Sequence, residues 1–468
     1  MPKFFKRYFN SDRGLLQGDL VIWAMFFLLS IISIVEVFSA ASTLSYKSGD
    51  YLAPLFRQGF YLFLGAVVAW GFHCIPCRYF KLIPPFFYPV SVILLILTLF
   101  TGESINEGSR WLKYFGVSFQ PSELAKGILV ITVALILSYG QTEKGAAPKA
   151  MKYILIASGI VCGLILPENL STAVILFTTV FLMMFIGRVP FRQLGRLVGA
   201  LFLIGVAIVI VVLITPKETL EKNSVLHRMD IWISRVASFT GNHPNQEGLR
   251  DYQAVESEFR AASPDGTLTA EQDSIVNALR RNADARYLRD HAQEAHAKIA
   301  IASSNVVGKM PGNSEQRDYL SQAYSDFIFA IIVEELGIWG GAFVVFFYIV
   351  ILFRTGRIAS LCERNFPTYL AMGLAILLVL QAMVNMLVAV GLAPVTGQPL
   401  PLISRGGTSI VINGVYFGMI LSVSRYARRL PEDTKSSKSD TAQPAELTET
   451  EKEAEAKKAA MQSDEGLV

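Results

Sequence analysis

Ten stretches of mostly apolar residues, each about twenty residues long, alternate with short polar segments along this 468-residue chain. A helix needs roughly 20 apolar residues to cross the hydrocarbon core of a bilayer, so each stretch is long enough to span a membrane. Only 17% of the residues are charged, against about 25% in soluble domains. The sequence therefore predicts an all-α polytopic membrane protein with ten transmembrane helices, at 19–42, 57–75, 80–100, 120–139, 151–166, 170–187, 195–215, 326–353, 367–391 and 407–424.

The positions of the basic residues predict how these helices are oriented. With the N-terminus in the cytoplasm, the inner segments carry 18 Lys and Arg residues and the short outer loops carry five. Because cytoplasmic loops are enriched in Lys and Arg, we expect both termini on the cytoplasmic side, N-in and C-in. The chain as a whole is nearly balanced, with 42 basic and 38 acidic residues, and gives no sign of nucleic-acid binding.

The predicted helices divide the chain into five segments. These are a cytoplasmic N-terminus, helices one to seven, a large extracytoplasmic loop, helices eight to ten and a cytoplasmic tail, at 1–18, 19–215, 216–325, 326–424 and 425–468. The loop contains a polar, helix-prone insertion at about 254–296. The tail has almost no large apolar residues, so we expect it to be disordered.

The cysteines do not predict a metal site. Cys74 and Cys77 form a C-x-x-C pair beside His73, at the predicted cytoplasmic end of the second helix. Thiols stay reduced in the cytoplasm, and the sequence offers too few further ligands for a zinc site. We therefore predict no metal held by these residues.

Ionisable residues gather at the helix ends that face outside, and Asp326 is the most informative of them. It follows Ser325 and opens an otherwise apolar helix. One interpretation is a helix cap, because Ser and Asp are favoured there and the helix dipole favours an anion. The other is a catalytic base, since partial desolvation raises the pKa of a carboxylate towards a useful range. The two interpretations are compatible.

Among the further ionisable residues inside predicted helices, three are candidates for the site. Glu334 comes eight residues after Asp326, so on a straight helix it lies close to the same face. Glu334 serves either in helix–helix hydrogen bonding or in catalysis. Glu123 and Lys126 are three residues apart and can pair on one helix face, either as a structural contact or as part of a site.

The run from Gly391 to Ser409 contains three prolines and four glycines and is incompatible with regular helix. Non-helical backbone at membrane depth is tolerated only where it is buried in protein or lines a cavity. The free amides of this run, together with nearby polar side chains, can form a nest for an anionic phosphate. A tight loop without a ligand is the alternative. The residues that would form the nest are Ser404, Arg405, Gly406, Gly407 and Thr408.

Several ordered motifs resemble one family, the SEDS (shape, elongation, division and sporulation) peptidoglycan polymerases. The motifs are Gly108-Ser-Arg-Trp111, Gln120-Pro-Ser-Glu-Leu-Ala-Lys126, Pro167-Glu168, Ser325-Asp-Phe-Ile-Phe329, Glu334-Glu335-Leu-Gly337 and Gly397-Gln-Pro-Leu-Pro-Leu-Ile-Ser-Arg-Gly-Gly-Thr-Ser409. The resemblance extends from residue 19 to about residue 425. The Pro-Leu-Pro-Leu-Ile-Ser run is more similar to the division members than to the elongation members.

The resemblance implies a multi-pass glycosyltransferase of the cytoplasmic (inner) membrane, placed at the division septum. It implies lipid II as substrate and a class B penicillin-binding protein as partner, with other proteins of the division machinery and membrane lipids around it. The family's proposed catalytic aspartate carries over onto Asp326, and its functional basic residues onto Arg110 and Lys126. Its acidic residue after the loop proline carries over onto Glu168, but Asn169 replaces the aspartate that usually follows.

These residues suggest a mechanism in which one base suffices, because the pyrophosphate of lipid II is already a good leaving group. Asp326 would accept the proton of the acceptor hydroxyl, with Ser325, Glu123 and Glu334 in support. Charge on the leaving pyrophosphate would be stabilised by Arg110, Lys126, Lys309 or Arg405, with or without a divalent cation such as Mg²⁺. A lipid II flippase, an elongation-type polymerase and a non-catalytic division scaffold stay open as alternatives.

Overall fold

The computed structural model describes residues 16–40, 52–101, 103–105, 108–114, 117–143, 145–215, 255–261, 268–290, 292–320 and 323–440. Besides a short helix at 255–261 and two 3₁₀ helices (Cys77–Leu82 and Gln316–Asp318), these residues form twelve α-helices: α1 (Leu20–Ala40), α2 (Ala53–Cys74), α3 (Ile83–Thr101), α4 (Pro121–Tyr139), α5 (Pro148–Ile165), α6 (Leu170–Ile186), α7 (Phe191–Ile214), α8 (Ala270–Asp290), α9 (Ala292–Ser303), α10 (Ile328–Ser360), α11 (Asn365–Ala389) and α12 (Gly407–Asp440).

The apolar helices confirm the predicted fold class. Within the described ranges, nine helices are long and apolar enough to cross a membrane, and α6 is an apolar helix of 17 residues. Each of these ten helices coincides with one of the ten predicted stretches. Most of the helix ends differ from the predicted ends by a few residues. The count of ten membrane spans and their orientation stay predictions.

The C-terminal tail corrects one expectation. Helix α12 was predicted to end at residue 424, with a disordered tail from 425, but it continues to Asp440. Extending an existing helix avoids the cost of a new nucleus, and Arg, Leu, Glu and Lys in this stretch are good helix formers, so the packed span propagates past Pro431, which itself donates no backbone hydrogen bond. The rest of the predicted tail, at 441–468, lies outside the described residues.

Two small antiparallel sheets occur in loops for which the sequence predicted no strands. The first joins β1 (Glu103–Ile105), β2 (Gly108–Tyr114) and β3 (Val117–Phe119), between α3 and α4. The second pairs β4 (Gln141–Thr142) with β5 (Gly145–Ala146), between α4 and α5. Strands of two to seven residues are too short to show a hydrophobic period beside the long apolar runs.

The core of the bundle is formed by α4, α11 and α12, whereas α7 is almost entirely exposed. Helices α2 and α12 approach most closely where glycines face each other. A Cβ atom at Gly414 would collide with the carbonyl oxygen of Gly65, and one at Gly418 would collide with that of Ala69. Gly414 and Gly418 thus form a G-x-x-x-G pair that brings the two backbones into contact.

Helix α10 bends sharply at Gly337, which has φ +71° and ψ −173°. A Cβ atom at Gly341 would lie 2.8 Å from the side chain of Val333 and 3.4 Å from the ring of Phe329. On a straight helix, residues eight apart are about 12 Å from each other along the axis. The first part of α10, Ile328–Leu336, therefore folds back against the part that follows Gly337.

This bend places Asp326 deeper in the bundle than the residues that follow it. Glu335 contacts Ser39 in the last turn of α1. Ser325 instead contacts Ser404, whose neighbour Ile403 is bonded to Ser33. Ser33 precedes Ser39 by six residues, which is about 9 Å along the helix. A straight helix, as assumed from the sequence, would place Asp326 nearer the outer end of the bundle than Glu335. In the structure, Asp326 lies deeper in the bundle than Glu335.

Candidate active site

The segment between α11 and α12 is non-helical and enters the bundle, and protein side chains satisfy its carbonyl groups. Asn385 donates to the carbonyl oxygen of Gln398 at 2.7 Å, and Gln381 donates to that of Pro399 at 3.1 Å. Ser33 donates to the carbonyl oxygen of Ile403 at 2.8 Å. Backbone groups buried in a membrane protein need such partners. The segment therefore has a fixed shape.

Ser404 connects this segment to the residues before α10. Its hydroxyl accepts from the amide of Leu400 at 2.7 Å and donates to the carbonyl oxygen of Ser325 at 2.6 Å. The amide of Arg405 donates to the carbonyl oxygen of Tyr324 at 2.9 Å. The Ser404–Arg405 and Ser325–Asp326 pairs, predicted from separate motifs, thus come together in one cluster.

Asp326 is half-buried in this cluster. Its Oδ1 accepts from the hydroxyl of Ser325 at 3.0 Å, and its carbonyl oxygen accepts from the side-chain amide of Asn385 at 2.8 Å. Helix α10 begins at Ile328, and its first turn has no side-chain cap. The helix-cap interpretation of Asp326 is therefore wrong. Its carboxylate is held by a neighbouring hydroxyl and its backbone is held from α11.

Arg405 supplies a cation to the same cluster. Its guanidinium lies over the ring of Tyr324, 4.9 Å from the centroid. Burial lowers the pKa of Arg405, and the nearby Arg57 lowers that pKa further while Tyr324 raises it. A guanidinium nevertheless stays charged in proteins. A cation that is partly removed from water is well suited to bind a phosphate.

The two glycines after Arg405 lie at the start of α12, which begins at Gly407. A Cβ atom at Gly407 would lie 2.5 Å from the ring of Tyr61, so a larger residue does not fit there. Gly406 has more space, with only Ser409 near the same position, at 3.4 Å. The first amides of a helix have no partner within the helix and carry partial positive charge. Arg405 and this helix N-terminus together favour an anion beside Asp326.

Lys126 and Glu123 form a buried ion pair. The ammonium of Lys126 lies 2.8 Å from Oε1 of Glu123 and 2.9 Å from Oε1 of Gln381, and its side chain is 1% exposed. Through Gln381 the pair is connected to the carbonyl oxygen of Pro399. The contacts of Lys126 are thus with the protein, and they fasten α4 to α11 and to the non-helical segment.

Glu168 and Asn169 lie at the break between α5 and α6, and both are buried. The side chain of Asn169 caps α6 by accepting from the amide of Thr172 at 3.2 Å. The hydroxyl of Thr172 accepts from Gln398 at 2.7 Å. Asn caps a helix as well as Asp does, so the substitution of the usual aspartate preserves this contact. The break therefore adjoins the cluster through Gln398.

Lys309 and Glu334 form a separate cluster. The ammonium of Lys309 lies 3.0 Å from Oε1 of Glu334 and 3.5 Å from Oε2 of Glu315. The hydrogen bond to Glu334 raises the pKa of Lys309. Glu334 also accepts from the hydroxyl of Ser314 at 2.5 Å. These contacts fasten the outer loop to the bend of α10 and do not include Asp326.

Arg110 lies in β2, and its side chain falls outside the described residues. The residues whose side chains hold Asp326 and the non-helical segment in place were not predicted as site residues from the sequence. Gln381 and Asn385 are four residues apart in an apolar helix, so they share one face, and this spacing alone indicates only hydrogen bonds between helices. Gln398, within the proline-rich run, gave no separate signal.

The described part of the chain contains no group of three or more His, Cys, Asp or Glu side chains that could hold a metal ion. Hard divalent cations such as Mg²⁺ take one or two carboxylates and often complete their ligands with substrate phosphates and water. Asp326 could supply one such carboxylate. A cation at this cluster would therefore depend on the phosphate groups of a bound substrate.

Comparison with known proteins gives a consistent result. The family model for FtsW, RodA and SpoVE, described as cell cycle protein, matches residues 19–268 and 273–429. A protein of Nitrosomonas europaea named probable peptidoglycan glycosyltransferase FtsW is 28% identical, covering 86% of this chain and 92% of that relative. The FtsW of Bacillus subtilis, with the same name, is 27% identical over 72% of each chain.

Two solved structures are similar to this chain in fold. A chain from a peptidoglycan synthase complex that coordinates polymerization and crosslinking has a TM-score of 0.61 at 23% identity, covering 88% of this chain and 98% of that one. The rod shape determining protein RodA of Thermus thermophilus has a TM-score of 0.55 at 22% identity, covering 87% and 97%. At these identities the similarity establishes the fold.

Proposed function

Because this chain belongs to the FtsW/RodA/SpoVE family of cell cycle proteins, we propose that it is a peptidoglycan glycosyltransferase of the division type. It polymerises lipid II into β-1,4-linked glycan strands at the outer face of the cytoplasmic membrane, during synthesis of the septal wall. The observation that carries this proposal is the cluster in which Asp326 and Arg405 are held together through Ser404 and Ser325. A base and a cation for a phosphate leaving group are thereby fixed in one place.

The chemistry needs one proton acceptor. The carboxylate of Asp326 accepts the proton of the 4-hydroxyl of the acceptor GlcNAc as that oxygen attacks the anomeric carbon of the donor MurNAc. The bond from the anomeric carbon to the pyrophosphate breaks with inversion, and undecaprenyl diphosphate leaves. A pyrophosphate needs no acid to leave, unlike the leaving oxygen in glycoside hydrolysis, where a second carboxyl group protonates it.

Charge on the leaving pyrophosphate is stabilised by Arg405 and by the first amides of α12. Donors fixed in a partly dry site stabilise developing charge better than water does, because they need no reorganisation during the reaction. The side chains of Asn385 and Ser404 donate to the carbonyl oxygens of Asp326, Gln398 and Ser325, and so hold the backbone of Asp326 against the non-helical segment that leads to α12. In this arrangement Lys126 does not contact the substrate, and it helps to hold the non-helical segment in place through Gln381.

The partner in this proposal is a class B penicillin-binding protein, with further proteins of the division machinery at the septum. The similarity to a chain from a synthase complex that coordinates polymerization and crosslinking supports this partner. The sharpest test incubates the purified chain with lipid II, alone and with such a partner whose crosslinking is blocked by a β-lactam. Glycan strands are expected under the block, and their absence in every combination would refute the proposal.

A lipid II flippase is the principal alternative. A transporter is expected to carry ionisable residues along the depth of the membrane. In the described spans, most of the buried acidic and basic side chains are close to the predicted outer end of the bundle, namely Glu36, Glu123, Lys126, Glu334 and Glu335, whereas Asp19 and His73 are buried at the opposite end. This distribution favours chemistry at one face. Lipid II flipping in liposomes that contain only this protein, without glycan formation, would favour the flippase instead.

A further inference from the structure

A groove of about 450 Å³ lies between α5 and α7, at the end of the bundle opposite the candidate active site. Its walls are Pro148, Met151, Lys152, Leu155, Ile156 and Gln193. The groove extends along α5 for eight residues, which is about 12 Å of helix. Its polar residue Lys152 lies towards the helix start, and Leu155 and Ile156 lie further along. The groove therefore changes from polar to apolar in the direction of the membrane interior.

The surroundings of the groove are strongly cationic. From 144 to 216 the chain has a single acid, Glu168, which lies at the other end of α5 and α6, and it has six basic residues, Lys144, Lys149, Lys152, Arg188, Arg192 and Arg196. Glu143, exposed in the adjoining turn, is the nearest further acid along the chain. Lys149 is three residues from Lys152, and Arg196 is three residues from Gln193, so each shares a helix face with a wall residue.

These basic side chains are available to a ligand. Lys149, Lys152, Arg192 and Arg196 are exposed. Within the part of the chain that the structure describes, none of the four has a carboxylate within ion-pair distance. The local backbone is fixed nevertheless, because the amide of Ala146 in β5 donates to the carbonyl oxygen of Arg188 at 3.2 Å. The charge of the groove is thus held in place without being neutralised by the protein.

Gln193 adds a second requirement for a ligand. Its side-chain oxygen is buried and accepts no hydrogen bond within the described residues. A buried acceptor without a donor costs free energy, so an occupant with a hydroxyl group would be favoured. The occupant should therefore combine a phosphate for the cations, a hydroxyl for Gln193 and an acyl chain for the apolar wall.

We propose that this groove binds one anionic phospholipid with a hydroxylated headgroup, of the phosphatidylglycerol class. The phosphate contacts Lys152 with Lys149, Arg192 and Arg196 around it, a headgroup hydroxyl donates to Gln193, and one acyl chain lies along Leu155 and Ile156. The long exposed surface of α7 leaves this side open to the bilayer. The predicted positive-inside orientation places the site in the cytoplasmic leaflet, away from the outer site of glycan synthesis.

Native mass spectrometry of the full chain, titrated with single phospholipids in detergent, tests the charge requirement. Phosphatidylglycerol should bind at least fivefold more tightly than zwitterionic phosphatidylethanolamine, and Lys152→Gln should weaken it about fivefold. The matched control is Arg357→Gln, which removes an exposed charge from the same end of the bundle but outside the groove. Equal binding of the two lipids, or equal effects of the two variants, would overturn the proposal.

Two further variants test the shape and the hydroxyl. Ile156→Trp fills the apolar part without changing charge and should also weaken phosphatidylglycerol several-fold. Phosphatidylmethanol has the same charge but no hydroxyl, so it should bind wild type about fivefold more weakly than phosphatidylglycerol. Gln193→Leu should abolish that difference. Undiminished binding by Ile156→Trp, a difference that persists in Gln193→Leu, or a protein dimer in place of bound lipid would contradict the assignment.

Discussion

At the scale of single residues, Asn385 connects Asp326 to the non-helical segment. One side-chain amide donates to the carbonyl oxygens of both Asp326 and Gln398, at 2.8 and 2.7 Å. Asn385 touches the backbone of Asp326 and none of the groups that react, so it is a positioning residue. Its effect should be on the placement of the carboxylate.

Replacing Asn385 by Leu should therefore lower kcat for lipid II polymerisation about tenfold, with KM almost unchanged, because the loss of positioning affects the transition state. Asn385→Gln, which retains the amide, should recover part of the rate. Steady-state kinetics on the purified complex with its partner checks both variants. A change confined to KM would instead indicate a contact with substrate.

The buried ion pair predicts an effect on stability. Lys126→Met leaves the carboxylate of Glu123 buried without its partner and should destabilise the protein by about 3–5 kcal/mol. The double variant Glu123→Gln with Lys126→Met removes both charges and should recover most of that loss. Thermal unfolding in detergent measures both. Equal losses in the single and double variants would show that the pair is not the source of stability.

At the scale of elements, the bend of α10 depends on one glycine. Gly337 has positive φ, and a Cβ atom there would collide with the carbonyl oxygen of Val306 and the amide of Gly308. The outer loop bonds directly to the bend, since the amides of Lys309 and Met310 donate to the carbonyl oxygens of Glu334 and Glu335, at 3.0 and 2.8 Å. Bend and loop therefore form one unit.

Gly337→Ala should detach the outer loop from the bend of α10. It should destabilise the protein by about 1–3 kcal/mol or more, because the backbone strain at positive φ and the steric collision of the Cβ atom both contribute. Gly163→Ala is the matched control, since no atom lies within 4 Å of a Cβ atom there. That control should be neutral or slightly stabilising. Proteolysis of the outer loop and thermal unfolding together report the difference. Similar behaviour of the two variants would argue against the bend as a fixed element.

The cap of α6 gives a second prediction at this scale. Asn169→Ala removes the side-chain oxygen that accepts from Thr172 and should cost about 1 kcal/mol, whereas Asn169→Asp should cost little because either side chain caps a helix. Unfolding temperatures of the two variants check this. Equal destabilisation by both variants would mean that the side-chain NH₂ group of Asn169, and not its side-chain oxygen, stabilises the structure.

At the scale of the whole molecule, the sequence predicted the apolar helices because transmembrane length and hydrophobicity are local properties. It did not predict the bend at Gly337, since φ +71° at one glycine depends on contacts with a loop about thirty residues earlier. The same limit applies to Glu334. It was expected near Asp326 on a straight helix, and it binds Lys309 instead.

The candidate site shows a similar division. Asp326, Ser404 and Arg405 were found from motifs, because ionisable and glycine-rich sequence is conspicuous in apolar surroundings. Lys126 was also found, and its pairing with Glu123 was predicted from their spacing on one helix, but its burial and its contact with Gln381 depend on how α4 packs against α11. No local pattern encodes that packing. Residues with an evident chemical character, and the Glu123–Lys126 contact within one helix, were therefore predictable, whereas the contacts between helices were not.

The most direct test of the proposed activity is glycan synthesis from lipid II by purified Asp326→Asn, in complex with a class B penicillin-binding protein. Loss of the base should lower the rate about 10²- to 10⁴-fold, with an unfolding temperature equal to that of wild type. The control Glu294→Gln removes a carboxylate whose ion-pair partner among the described residues is Lys298, also on α9, and it should leave the rate unchanged. Glycan synthesis by folded Asp326→Asn at close to the wild-type rate would contradict the role of Asp326 as the base.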